Sequence, residues 1–145
     1  MDISFAVSGR LPPKKDGANS MWGKGAEVEN LVALRRAALA KVERGRALAR
    51  NIRLDLTVHV GSDNNRRTGD LDNFVTGVCD GLMAADGKTP WQGHAVWADP
   101  RNDDVRPDRV IAIVDDSQVV EIVARKVVGS PKAPGYEIRL SGDLA

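Results

Sequence analysis

The chain predicts a mixed α+β domain in which one sheet is packed by two helices, in the order β-α-β-α-β-β. Three observations predict it. Ile52, Leu54, Leu56, Val58 and Val60 alternate without a miss against polar neighbours, the period of a strand with one buried face. Two segments, Ala26 to about Arg50 and Asp70 to about Ala85, repeat apolar residues at amphipathic-helix spacing. β-branched runs then dominate from Val110 onward. A length of 145 residues suits one domain, 1–145, able to bury a core without disulfide or metal staples.

Each element rests on its own residues. Ile3, Phe5 and Val7 alternate with Ser4, Ala6 and Ser8 as a first strand. Gly9 to Gly25 is a loop, because Pro12-Pro13 forbids regular pairing and Gly17, Gly23 and Gly25 break any regular structure after it. Its Lys14, Lys15 and Lys24, with Asn19 and Trp22, suit a nucleic-acid backbone. The plainer alternative is a solvated loop with Trp22 pinned to the core.

In the first helix Leu31, Leu34, Ala38, Val42 and Ala49 share a face. Arg36, Lys41, Arg44 and Arg50 lie off it and complement the helix dipole. The strand 52–60 comes next, with His59 on its polar face and so expected at the surface. The second helix buries Phe74, Val75, Val78, Cys79, Leu82 and Met83. Gly77 and Gly81 each cost it about 1 kcal/mol of helix propensity, which implies close backbone packing on their side.

An insertion, about residues 87–110, carries three prolines, Trp91 and Trp97; a connection this long is functional or mobile. Nothing in their spacing gives His94 or Asp99 a role. Val110–Val114 is expected to be extended. Gln118–Val128 and the alternating Tyr136, Ile138 and Leu140 are expected to pair as an antiparallel hairpin.

Composition excludes several function classes. No apolar run reaches the roughly 18–20 residues of a membrane span, and the acidic, alternating start is unlike a signal peptide, so a cytoplasmic protein is expected. The single cysteine, Cys79, rules out an internal disulfide and is expected to be a buried, inert thiol. Two distant histidines make no zinc site. Residues 1–69 carry 13 Lys/Arg against 7 Asp/Glu, while residues 70–145 carry 8 against 13. A basic half beside an acidic half suits a protein that grips phosphates and also holds divalent cations.

The chemistry concentrates at Gly69-Asp70-Leu71-Asp72-Asn73, which comes directly after the basic lead-in containing Arg66-Arg67. Where the chain is extended, carboxylates at i and i+2 point to one side, and a divalent cation relieves their repulsion. Mg²⁺, with Mn²⁺ as its substitute, takes such hard oxygen ligands. Asp116, or Asp115, at the mouth of a later strand is the candidate third carboxylate, and Asn73 offers a neutral oxygen. Arg66 and Arg67 are placed to clamp a phosphate. Ordinary helix capping by Asp70 or Asp72 is the competing account of the same motif.

The ordered set Gly69-Asp70-Leu71-Asp72-Asn73, Asp80-Gly81-Leu82 and Asp115-Asp116-Ser117-Gln118-Val119-Val120 resembles the RusA family of Holliday junction resolvases. Leu11-Pro12-Pro13 and Asn19 are similar to that family's proline-asparagine loop. The resemblance covers nearly the whole chain apart from the insertion before the third main strand. It implies a RusA-like fold and a homodimeric, Mg²⁺-dependent endonuclease that cuts branched DNA in recombination and repair. The implied catalytic and metal-holding residues are Asp70, Asp72 and Asp116, supported by Asn73 and Asp115. Arg66, Arg67, Lys14, Lys15 and Lys126 are the expected DNA contacts. One position departs from the pattern: Thr76 stands where the family carries a lysine. That departure leaves a second reading, a weak or inactive DNA-binding accessory module on the same fold.

Overall fold

The computed structural model describes residues 1–15, 21–23, 25, 27–42, 47–63, 69–87 and 90–144. The first strand, β1 (Asp2–Ser8), buries Ile3 and Phe5 and leaves Asp2, Ser4 and Ala6 exposed. Helix α1 (Glu27–Leu39) turns Val28, Leu31, Leu34 and Ala38 inward. Strand β2 (Leu48–Val60) buries Leu48, Ile52, Leu54, Leu56, Val58 and Val60 on one face. Helix α2 (Leu71–Leu82) buries Phe74, Val78, Cys79 and Leu82. A short helix α3 (Ala95–Ala98) and a 3₁₀ turn (Pro100–Val105) fill the insertion. A second 3₁₀ turn (Asp116–Gln118) then opens β3 (Val119–Val128), and β4 (Gly135–Leu144) closes the fold.

These strands form one mixed sheet in the order β1-β4-β2-β3. β4 runs antiparallel to both neighbours, pairing Phe5 with Ile138 and Leu56 with Ile138. β3 runs parallel to β2, pairing Leu54 with Ile122 and Val58 with Lys126. A parallel neighbour needs a crossover, and α2 is that crossover. The helices cover the apolar face. The other face is polar and open, laced by Arg139–Asp2 and Arg125–Asp55 pairs, each at 2.9 Å.

The α+β class and the two packing helices match the sequence reading. Four local expectations are corrected. The first helix ends at Leu39, not near Arg50. Leu48 is drawn into the sheet instead, where its N–H donates to Ala112 at 2.8 Å and it pairs with Leu144. Ala49 continues the helical spacing, but Leu48 lies off that face, and its burial and hydrogen bond in the sheet decide the outcome. β3 and β4 do not form a hairpin. Tyr136, Ile138 and Leu140 are apolar enough on one face to claim the central position between β1 and β2, which sends β3 to the edge. Val110–Val114 makes one bridge, Ile113 to Leu48, and no strand. His59 is 7 % exposed: its Nε2 meets Glu137 at 2.6 Å and its Nδ1 meets the Ser130 hydroxyl at 2.8 Å. The turn before β4 folds over that end of the open face and covers the ring.

The described part of the insertion is anchored by a residue whose partners periodicity does not reveal. Arg35, on α1, is fully buried, with no carboxylate among the described residues in its hydrogen-bond shell. Its guanidinium donates to five carbonyls, those of Gly81, Met83, Val105, Arg106 and Arg109, at 2.6–2.9 Å. It also lies 5.1 Å from the centre of the Trp22 ring. Burial lowers its pKa to about 9, so it is still cationic at neutral pH. Trp97 packs against Trp22 and donates its indole N–H to the Trp22 carbonyl at 2.7 Å. The core-pinned alternative for Trp22 is therefore the one observed.

Candidate functional site

Both ends of α2 carry the residues in question. At its start, Gly69 adopts a positive φ of 99°, which favours glycine, and delivers Asp70 in an extended conformation. Asp70 occupies the N-cap position, yet its side chain makes no capping hydrogen bond. Only its backbone carbonyl serves the helix, accepting from Asn73 at 3.1 Å and Phe74 at 3.3 Å. The carboxylates of Asp70 and Asp72 are exposed, in the first turn where the helix dipole favours negative charge. Lys126, reaching over from β3, donates to the Gly69 carbonyl at 2.7 Å and sets a cation beside this end.

Along the helix, Asp72, Thr76 and Asp80 recur every four residues and share a face. Thr76 donates its hydroxyl to the Asp72 carbonyl at 3.1 Å. The proline loop lies against the same helix. The Lys15 N–H donates to the Asn73 carbonyl at 3.1 Å, and Lys15 Nζ pairs with Asp80 at 3.2 Å. Such close approach needs the helix glycines. A Cβ on Gly77 would run into the Pro13 carbonyl, and one on Gly81 would stand 2.8 Å from Leu34. The Lys14 N–H donates to Glu27 at 3.3 Å and steadies the loop from α1.

At the other end of α2, Asp115 and Asp116 open the 3₁₀ turn before β3. The Ser117 N–H donates to the Asp115 carboxylate at 3.0 Å, which holds its pKa below the usual carboxylate value. Asp116 is exposed. Burial pushes the Cys79 thiol up to about 11, with help from the charges of Asp80 and Asp116, as expected of an inert thiol. A cavity of about 730 Å³ opens here, lined by Lys15, Trp22, Asp80, Asp86, Asp115 and Asp116 among others.

Asp116 is thus grouped with Asp80 and Lys15, not with Asp70 and Asp72. From Asp70 to Asp80 the helix rises about 15 Å, which separates the two ends. Among the described residues no three His, Cys, Asp or Glu side chains are placed to hold a metal ion. The donors are hard carboxylate oxygens of the kind Mg²⁺ takes. Within one chain, however, Asp70, Asp72 and Asp116 do not make its ligand shell. The expected DNA contacts Lys14, Lys15 and Lys126 flank α2, while Arg66 and Arg67, with Lys24 and Asn19, lie outside the described residues. Sequence reasoning overlooked the Lys15–Asp80 pair and the Asp86 wall of the cavity. Only the four-residue recurrence of Asp72, Thr76 and Asp80 hinted at them. No helix among the described residues is long and apolar enough to cross a membrane. No protein-family model matches this sequence, and a search of curated proteins finds no match.

Proposed function

We propose that the protein is a Mg²⁺-dependent endonuclease of the RusA type, acting as a homodimer on branched DNA. The observation that carries this reading is Asp70, an exposed carboxylate at a helix start whose side chain does no capping. Capping was the strongest ordinary account of the Asp-x-Asp motif, and it fails for this side chain. Lys126 and Lys15 supply positive charge at the two ends of α2, where a phosphate backbone needs it. In this reading Mg²⁺ supplies Lewis-acid activation of a phosphodiester and a bound water, with Mn²⁺ as substitute. The chain's own part is to present Asp70, Asp72 and Asp116, with Asn73 and Asp115 beside them and basic side chains along the DNA.

The test is nicking of a synthetic four-way junction with Mg²⁺, stopped by EDTA. Asp70→Asn and Asp116→Asn should each lower the rate about 100-fold, on the order expected for losing a metal-holding carboxylate, and leave junction binding intact. Cleavage that survives both changes refutes the assignment. Thr76 favours a second reading, a DNA-binding accessory module without strong catalysis, because its hydroxyl is turned to the helix backbone and brings no charge. Salt-sensitive binding without cutting, and cutting gained by Thr76→Lys, would select that reading.

A further inference from the structure

Away from both ends of α2, three segments far apart in sequence bring Ser130, His59 and Glu137 into one hydrogen-bonded chain. β4 pairs Gly135 with His59 and Glu137 with Thr57, which sets the imidazole and the carboxylate diagonally on the open face of the sheet. Gly129, at a φ of 70°, turns the chain out of β3 and back over that face. The N–H groups of Gly129 and Ser130 both donate to the Val60 carbonyl, at 2.9 and 3.3 Å. The Ala133 N–H donates to the Ser130 carbonyl at 3.1 Å and closes the turn. Backbone bonds on two sides thus fix where the Ser130 side chain stands.

His59 Nε2 lies 2.6 Å from the Glu137 carboxylate, and Nδ1 lies 2.8 Å from the Ser130 hydroxyl. An ionised carboxylate can only accept, and the bond to His59 holds Glu137 below its usual value, so Nε2 carries the ring proton. Nδ1 is then the bare nitrogen, and the Ser130 hydroxyl donates to it. A base beside a hydroxyl, with a third group fixing the tautomer of the base, is the arrangement that activates a serine nucleophile. Lys132 serves it twice. Its ammonium holds the other Glu137 oxygen at 3.1 Å, and its backbone N–H donates to Ser130 Oγ at 3.1 Å. The ring is buried while Ser130 is only half-buried. A cavity of about 470 Å³ adjoins them, with His59, Lys132, Pro134 and Glu137 among its walls. The same bonds also hold the turn; a hydroxyl on the bare nitrogen adds chemistry to that.

We propose that Ser130 and His59, positioned by Glu137, form a second catalytic site that hydrolyses activated acyl esters. Ser130 Oγ attacks the acyl carbonyl carbon as its proton passes to His59 Nδ1. The carbonyl oxygen becomes an oxyanion close to Oγ, where the Lys132 N–H can turn to it. The bond to the leaving oxygen or sulfur then breaks, and that atom takes the proton from Nδ1. Water attacks the acyl-serine by the same route, gives its proton to Nδ1 and releases the carboxylic acid as the Ser130 hydroxyl is restored. One backbone donor for the oxyanion favours substrates with good leaving groups, aryl esters and thioesters, over amides. No residue of this site belongs to the nuclease reading, so the two stand or fall separately.

p-Nitrophenyl acetate and a fluorophosphonate probe, given to the full chain, test the proposal. Mass spectrometry should find the phosphonyl group on Ser130, and ester hydrolysis should continue past one equivalent. Ser130→Ala should abolish labelling and lower kcat/KM about 100-fold, on the order expected for a nucleophile paired with a general base. Glu137→Gln should lower kcat by a similar factor with KM unchanged, because the ring loses its enforced tautomer. Both variants should keep the wild-type circular dichroism, and EDTA should leave the ester rate unmoved. Where Ser130→Ala does not fold, the residue labelled in the wild type decides. A probe that labels nothing, or another residue, overturns the proposal. So does an ester rate that Ser130→Ala leaves unchanged, or one that EDTA stops.

Discussion

Arg35 is the residue on which the insertion depends most. Five carbonyls accept from one guanidinium, and a fork of five donors is something only arginine supplies. Arg35→Met keeps the volume and leaves all five acceptors unpaired, so the loss should be about 3–5 kcal/mol. Urea denaturation would read it as a lower midpoint. A midpoint near that of the wild type would mean that the carbonyls find other partners. Arg35→Lys should recover little, because an ammonium cannot match the fork. The sequence showed Arg35 only as one of two adjacent arginines in a helix. Helical spacing sets it on the face of Leu31, Leu34 and Ala38 and leaves Arg36 off that face, but it does not say what a buried guanidinium would bond; Arg36 is exposed and donates to Arg101 and Asn102 at the surface. The carbonyls that make it different lie 46 to 74 residues away.

At the scale of elements, α2 and the proline loop are fitted to each other through Gly77. Replacing it with alanine gains about 1 kcal/mol of helix propensity. The added Cβ meets the Pro13 backbone, which cannot swing aside as a side chain would. Overpacking of this kind costs about 1–3 kcal/mol. The expected outcome for Gly77→Ala is a displaced loop, a broken Lys15–Asp80 pair and faster tryptic cutting after Lys14 or Lys15. Unchanged proteolysis would mean that the loop tolerates the methyl group. Here the sequence was informative, because two glycines on an otherwise strong helix announced close packing. What they packed against was not legible. For β3 and β4, alternation identified both strands, but pairing partners were misjudged because adjacency in sequence favours a hairpin. The deeper burial of β4 outweighed it.

For the whole molecule, acid should be the weak flank. Glu137 is held below its usual value by its hydrogen bond to His59, Asp108 by Arg106, Asp2 by Arg139 and Asp115 by the Ser117 N–H. Asp99 is lowered to about 2 by its bonds from Arg101. A carboxylate whose pKa is depressed on folding binds fewer protons folded than unfolded. Its contribution is complete above the unfolded values, 3.8 for Asp and 4.5 for Glu, and is lost as pH falls through the lowered ones. Thermal midpoints should therefore be level from about pH 7 to 5 and decline below about pH 4. A midpoint that held level down to about pH 3 would contradict this. Most of these groups are well exposed, so each adds little and the decline should be gradual.

The amino-acid sequence by itself determined the α+β class, the β2 strand, the helical stripe of α2 and the acidic motif at its start. Each is written in residues close together, as a period or as a turn. The tertiary structure alone decided the strand order, the burial of Arg35 and His59, and the separation of Asp116 from Asp70 and Asp72. Those depend on which apolar face reaches the middle of the sheet and which carbonyls are left to be satisfied. Both are settled between segments far apart in the chain, where local periodicity carries no information.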